Sequence, residues 1–248
     1  MSIATERDFT GICEIGHIVG YTLKEMQSGI REGMTTAQLD ALGAEILADL
    51  GARSAPRLMY NFPGTTCISV NNEIAHGIPG NRVIKEGDLV NIDVSAEKNG
   101  YFADNGGTVP FGVSDERLLR LCECSRATLT AAINITREGT RINQVGRLIE
   151  QKAKNNGFRV IENLCGHGVG RSLHEHPNEI PNYYDPRNRS TFTYGMVVAI
   201  ETFVSTGARL GVDGGDGWTI VTPDGSRVAQ YEHTVIVTDG APIIVTEG

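Results

Sequence analysis

An eight-residue pattern occurs twice in this chain. Glu86-Gly-Asp-Leu-Val-Asn-Ile-Asp93 returns as Tyr194-Gly-Met-Val-Val-Ala-Ile-Glu201. Gly87, Val90, Ile92 and Asp93 match Gly195, Val198, Ile200 and Glu201 at a constant spacing of 108 residues. Upstream, Arg31-Glu32-Gly33 returns as Arg137-Glu138-Gly139 at a spacing of 106, and so do Gly51 and Gly157, which close the helical stretches that follow. A period this long describes two diverged half-domains, not a solenoid of short repeats. The expected halves are residues 1–112 and 113–248 of a single domain. Each half presents an acidic residue at the same place on an apolar strand, so a shared site would gather its acids where the halves meet.

The first copy runs into a β-hairpin. Val90, Ile92 and Val94 alternate with Asn91, Asp93 and Ser95, the period of a strand. Asn99-Gly100 is the strongest short signal for a two-residue type I′ turn. That turn sets Ser95 opposite Asp104 and Asp93 opposite Gly106, so the two aspartates become diagonal neighbours on one face, roughly 7–8 Å apart in backbone. Carboxylates at that separation can hold one divalent ion each or share a pair about 3.5–4 Å apart.

The remaining elements follow from periodicity and caps. Ile12, Ile15, Val19, Leu23 and Met26 give a first helix ending near Gly29. Thr35 and Gln38 form a capping-box pattern for a second, closed by Gly51. Asn61-Phe-Pro-Gly64 reads as a turn into a strand at 67–70. Ser114-Asp-Glu opens a helix running to about Ile135, and another spans about Ile142 to Asn155. A glycine-rich segment surrounds His167, and a polar loop is expected from Pro177 to Ser190. Strands are expected at 197–203, 218–222 and 228–238. Helices beside antiparallel hairpins in both halves make the class α+β and not a parallel βαβ wind.

Composition narrows the function. The 248 residues suffice for a substantial core. A net charge of −8 argues against a nucleic-acid surface. No apolar run is long enough for a membrane span and no secretory signal is visible. Five cysteines without a CxxC pair suit free thiols in a reducing compartment.

Five natural metal ligands stand in strand or strand-edge contexts: Asp93, Asp104, His167, Glu201 and Glu232. Glu201 interrupts the apolar run Met196–Phe203, and Glu232 precedes Thr234-Val-Ile-Val237. Buried acids are costly unless paired or coordinating a cation. Four carboxylates and one imidazole call for about two divalent cations of the Mn, Fe, Co or Zn type, and such a pair supports hydrolysis. The glycines of Cys165-Gly-His-Gly-Val-Gly170 lack the Lys-Ser/Thr tail of a phosphate loop. His76 and His174 could assist, and neither lies in an HExxH motif.

At these residues the chain resembles the type I methionine aminopeptidases of the pita-bread fold, in their minimal bacterial form. The matching stretches are Asn61-Phe-Pro-Gly64, Cys67-Ile-Ser-Val-Asn71, Ala75-His-Gly-Ile-Pro79, Gly87–Asp93 and Gly166-His-Gly-Val-Gly170. Leu173-His-Glu175, Gly195–Glu201, Gly217-Trp218 and Ala229–Asp239 complete them. No insertion between Asn105 and Glu232 and no N-terminal zinc-finger extension is seen.

The resemblance implies a metal-bridging hydroxide attacking the first peptide carbonyl. Asp93, Asp104, His167, Glu201 and Glu232 would hold two ions, with Asp104 and Glu232 bridging and Asp93 bidentate on one. Glu201 would shuttle the proton, His174 would stabilise the oxyanion, and His76 would contact the scissile amide. Phe62, Cys67 and Trp218 would line the methionine pocket. Methionine followed by a small second residue would be the preferred substrate. The resemblance further implies nascent polypeptide N-termini as partners, a transient ribosome association, a monomer and a cytoplasmic location. Asn105, Thr202, Leu173 and Phe102 depart from residues common in the family, and none of them removes a ligand. The alternatives are a Xaa-Pro-type aminopeptidase on the same fold or a peptide-binding relative without catalysis.

Overall fold

The computed structural model describes residues 1–247. Five helices and thirteen strands are formed among them. The helices are α1 (Glu6–Ser28), α2 (Thr36–Asp49), α3 (Ala55–Tyr60), α4 (Glu116–Ile135) and α5 (Ile142–Asn155). The strands begin with β1 (Arg53–Ser54), β2 (Cys67–Val70), β3 (Glu73–Ala75), β4 (Asp88–Lys98), β5 (Tyr101–Phe111), β6 (Arg159–Val160) and β7 (Cys165–Gly168). They continue with β8 (Glu175–Pro181), β9 (Val197–Ser205), β10 (Val212–Asp213), β11 (Ile220–Val221), β12 (Val228–Ile236) and β13 (Ile243–Ile244). No described helix is long and apolar enough to cross a membrane.

Caps decide where the helices start. Thr5 and Asp8 form a reciprocal capping box on α1, and Thr35 and Gln38 form the expected one on α2. Asp115 caps α4 through the backbone of Arg117. Gly33, Gly51, Gly139 and Gly157 all take positive φ, so the repeated glycines mark equivalent turns in the two halves.

The larger sheet runs β1-β4-β5-β12-β9-β7-β8, with β2 on β4, β6 on β9 and β13 on β12. Every strand pair is antiparallel among the described residues. The order is symmetric about its middle. The hairpin β4-β5 of one half and the pair β12-β9 of the other meet along β5 and β12. One core packs α1 and α2 on the first hairpin through Ile15, Val19, Leu39, Val90, Ile92 and Val94. A second packs α4 and α5 on the other pair through Leu121, Leu129, Val145, Ile149, Val198, Ile200 and Val235. Alternation then sends Asn91, Asp93 and Ser95 from β4, and Gln230, Glu232 and Thr234 from β12, to the face without helices.

Several expectations are corrected. The loop expected from Pro177 begins as a strand, because β8 pairs Cys165 with Pro181 and Gly166 with Ile180. The glycine-rich segment is itself a strand, β7, held between β8 and β9. The strand expected at 218–222 is reduced to Ile220–Val221, since Trp218 sits in a turn built on Asp216. Helix α3 lies where no element was expected.

Candidate metal centre and substrate cavity

The hairpin register is the one Asn99-Gly100 demands. Asn99 and Gly100 both take positive φ, Asp93 faces Gly106 and Ser95 faces Asp104. Across the middle of the sheet, Glu232 pairs directly with Glu201. His167 enters from β7, opposite Ala199. Its flanking glycines are required by packing. A Cβ on Gly166 would lie 2.5 Å from the Ala199 carbonyl oxygen, and one on Gly168 would lie 2.3 Å from that of His176.

Asp104, His167 and Glu232 bring one ligand atom each within 4.8 Å of the others, and all three are buried. Asp93 joins them, close enough to Asp104 for the two carboxyls to shift each other's pKa. Glu201 lies beside Glu232, close enough that the charges of Asp93 and Asp104 raise its pKa. All five sequence-derived ligands therefore converge.

Electrostatics and unmet bonding mark the centre as a cation site. Burial, then mutual repulsion, holds the carboxyls of Asp104, Glu201 and Glu232 well above the usual carboxylate range. Asp93 is pushed up to about 6 by burial. Asp104 Oδ1 and Glu232 Oε1 are buried without a hydrogen-bond partner. Buried polar atoms normally have partners, so these two oxygens suit coordination of a cation. His167 Nε2 lies 3.7 Å from Asp104 Oδ2, but burial lowers the imidazole pKa to about 3, so the ring is neutral and the contact is no ion pair. His167 Nδ1 lies 3.0 Å from the Gly168 carbonyl oxygen. With Nδ1–H donating there, Nε2 keeps a free lone pair toward the acids, as a metal ligand requires. The donor set therefore fits divalent cations.

Two residues at this site were not singled out from the sequence. Gln230 Nε2 donates to Glu232 Oε2 at 3.0 Å, and Asn91 Nδ2 donates to Gln230 Oε1 at 2.7 Å. Gln230 also lies beside Glu201 and favours its charged form. The chain Asn91–Gln230–Glu232 fixes the carboxylate before any ion arrives. Strand parity could have found both, since each stands two residues before a ligand and shares its face. Orienting partners of this kind typically affect metal affinity by 10–100-fold. Gln230→Ala is therefore expected to weaken metal binding by about tenfold or more with little loss of fold. Competition against a metal-indicator dye measures this, and unchanged affinity would remove Gln230 from the site.

A cavity of about 370 Å³ opens above the acids. Phe62, Cys67, Trp218, His76 and His174 all line it, with Tyr60 and Leu173 beside them. Cys67 pairs with Asp93 across β2 and β4, placing the thiol next to the buried acids. Asp216 holds the Trp218 turn by accepting from the backbone of Trp218 and Thr219. Trp218 meets Phe62 edge to face, with ring centroids 5.2 Å apart. His76 sits at φ 55, in a loop clamped to β2 by Gly77. The His174 ring lies 4.1 Å from that of His167. The cavity walls hold both His76 and His174 below the ordinary histidine pKa, although each keeps exposed surface.

The departures from the common pattern find places in the fold. Thr202 and Ser125 hydroxyls lie 2.9 Å apart and tie β9 to α4, while Asn105 donates to the Thr246 carbonyl and leaves its own Oδ1 buried without a partner. Leu173 and Phe102 are buried.

A buried carboxylate–imidazole centre at the seam of two repeated halves, below an apolar cavity, defines a metal-dependent hydrolase. Comparison with known proteins agrees. The family model for metallopeptidase family M24 matches residues 11–239. Methionine aminopeptidase 2 of Bacillus subtilis strain 168 is 47% identical over 248 residues, covering all of both chains. A methionine aminopeptidase of Staphylococcus epidermidis is 44% identical, covering all of this chain and 99% of its own. The crystal structure of methionine aminopeptidase from Thermotoga maritima superposes with a TM-score of 0.96 at 38% identity over the whole of both chains. The chain belongs to metallopeptidase family M24 and, within it, to the methionine aminopeptidases. Its fold is the pita-bread fold.

Proposed function

We propose that the chain is a single catalytic domain that releases the N-terminal methionine from new polypeptides bearing a small second residue. The observation that carries this reading is the pair of orphaned carboxylate oxygens, Asp104 Oδ1 and Glu232 Oε1, beneath the Phe62–Trp218 wall of the cavity. Asp93, Asp104, His167, Glu201 and Glu232 would hold two divalent ions of the Co, Mn, Fe or Zn type, because four negative charges need that much compensation. Such ions supply Lewis acidity and a water acidified enough to act near neutral pH.

The protein's own groups do the rest. The methionine side chain packs against Phe62, Cys67 and Trp218, where apolar area leaves water. Glu201, whose burial makes its carboxylate a stronger base, would accept the proton of the attacking water in its deprotonated form, which a bound cation favours, and return that proton to the leaving amine. His174 donates toward the oxygen on which negative charge develops, and His76 toward the scissile amide. The reading sets the cytoplasm as the compartment, the nascent chain at the ribosome as the encounter partner and a monomer as the working unit.

Methionine release from Met-Ala-Ser and from Met-Leu-Ser tests it, using metal-free protein and protein supplied with Mn(II) or Co(II). The expected result is metal-dependent release from Met-Ala-Ser alone. Release from neither peptide, with tight metal binding present, would overturn the substrate assignment in favour of another peptide or a binding role.

A further inference from the structure

Tyr60 makes a polar contact in the cavity wall that the reading above leaves unused. This residue ends α3, and the chain then turns sharply because Asn61 takes the left-handed conformation at φ 56. The turn holds the Tyr60 ring at the rim of the cavity, with its hydroxyl 2.7 Å from His174 Nδ1. The Tyr60 and His174 rings lie 5.6 Å apart and tilted, and the His174 ring also lies 4.1 Å from that of His167. His174 is thus held by two ring contacts and by one hydrogen bond at one nitrogen.

That bond decides what the other nitrogen can do. A neutral imidazole carries one proton, on Nδ1 or on Nε2. A tyrosine hydroxyl keeps its proton at neutral pH, and delocalisation of its lone pair into the ring makes it a better donor than acceptor, whereas an unprotonated imidazole nitrogen is a strong acceptor. With the phenol donating, Nδ1 is the acceptor and the imidazole proton sits on Nε2. From these contacts we infer that Tyr60 is a positioning residue that locks His174 in the Nε2–H tautomer, making its free nitrogen a hydrogen-bond donor to the substrate. The inference rests on the reading above only for where that donor is used. Without the hydroxyl, Nδ1 loses its partner and both tautomers become populated. Only one of them can donate from Nε2 to a developing oxyanion. The contact comes from a short helix and therefore adds a requirement on residues 55–60 that the ligand set alone does not impose.

The experiment combines one spectroscopic and one kinetic readout on Tyr60→Phe, which removes the hydroxyl and keeps the ring. Imidazole ¹⁵N shifts are recorded on the Zn(II)-loaded wild type and variant, with His174→Gln assigning the signals. In the wild type Nδ1 is expected to be pyridine-like and Nε2 pyrrole-like, and in the variant both shifts move toward the average of the two tautomers. In the Mn(II) enzyme, kcat for Met-Ala-Ser is expected to fall by about 10–100-fold, as when an orienting group is lost, with KM within about twofold. A protonated Nδ1 in the wild type would overturn the inference, and so would an unchanged kcat in Tyr60→Phe beside a crippled His174→Gln. If His174→Gln is itself fully active while the ¹⁵N pattern is as expected, the tautomer lock stands and the oxyanion role of His174 falls.

Discussion

Asp104→Asn is expected to abolish methionine release while raising the thermal stability of the metal-free protein. The two effects have one origin. Asp104 offers a ligand oxygen to the cluster with His167 and Glu232, and its Oδ1 is one of three buried side-chain oxygens with no partner among the described residues. An amide at this position keeps the volume and loses the charge. Lewis-acid stabilisation is worth several kcal/mol, so misplacing the ions is expected to cost at least about 10³-fold in kcat/KM. Without metal, the carboxyl of Asp104 is held well above its usual range by burial and by the charges of Glu232 and Asp93. Removing one member of that cluster relieves repulsion. A gain on the order of 1 kcal/mol corresponds to roughly 2–4 °C for a domain of this size. Steady-state rates with saturating Mn(II) and melting curves in chelator check the two halves of the claim. Near-normal turnover with metal present would remove Asp104 from the ligand set. A lower melting temperature in chelator would instead show that Asp104 supports the fold.

What was legible in the sequence was whatever short-range chemistry decides. Asn99-Gly100 sets a hairpin register by turn geometry alone, and with it the diagonal placement of Asp93 and Asp104. The helices from Glu116 and Ile142 announce themselves through caps and periodicity over several turns. The duplication carried more, because two similar halves meeting in one sheet must bring Asp93 and Glu201 to related places. The elements that escaped depend on partners far along the chain. Strand β7 is half glycine, with no propensity for a strand, and exists because β8 and β9 flank it. Helix α3 has six residues, one of them Pro56, too few for an apolar period to show. Tyr60 was missed with the helix that carries it. Gln230 and Asn91 matter only through a cross-strand contact, which a linear reading sees as two ordinary amides.

Metal is expected to stabilise this protein most where its acids are most reluctant to ionise. In the folded, metal-free chain Asp93 titrates near 6, and burial with mutual repulsion holds Asp104, Glu201 and Glu232 well above the usual carboxylate range, whereas unfolded carboxyls titrate near 4. The folded state therefore binds more protons than the unfolded state above pH ~4. Stability changes with pH as the protons bound by the unfolded state minus those bound by the folded one, so these acids make it fall as pH rises. The buried histidines act in the opposite sense. His167 is lowered to about 3 and His233 to about 4, so their contribution is lost as pH drops below the ordinary histidine value of ~6.5. The acids of the centre give a downward slope that begins above the unfolded carboxyl value of ~4. The melting-temperature advantage of Asp104→Asn over wild type, both without metal, should therefore widen as pH rises, since titrations common to both proteins cancel. Cation binding neutralises the same charges and requires the same groups to be deprotonated, so it tightens as pH rises. Ions at about 100 times their dissociation constant add about 2.7 kcal/mol, or roughly 5–10 °C, and that gain should be larger at pH 8 than at pH 6.5. Scanning calorimetry of wild type and variant, with chelator and with Zn(II), resolves both trends. A metal-free wild type that gains on Asp104→Asn as pH rises would mean that the four acids are not held as buried, mutually repelling charges, and the cation site built on them would lose its physical basis.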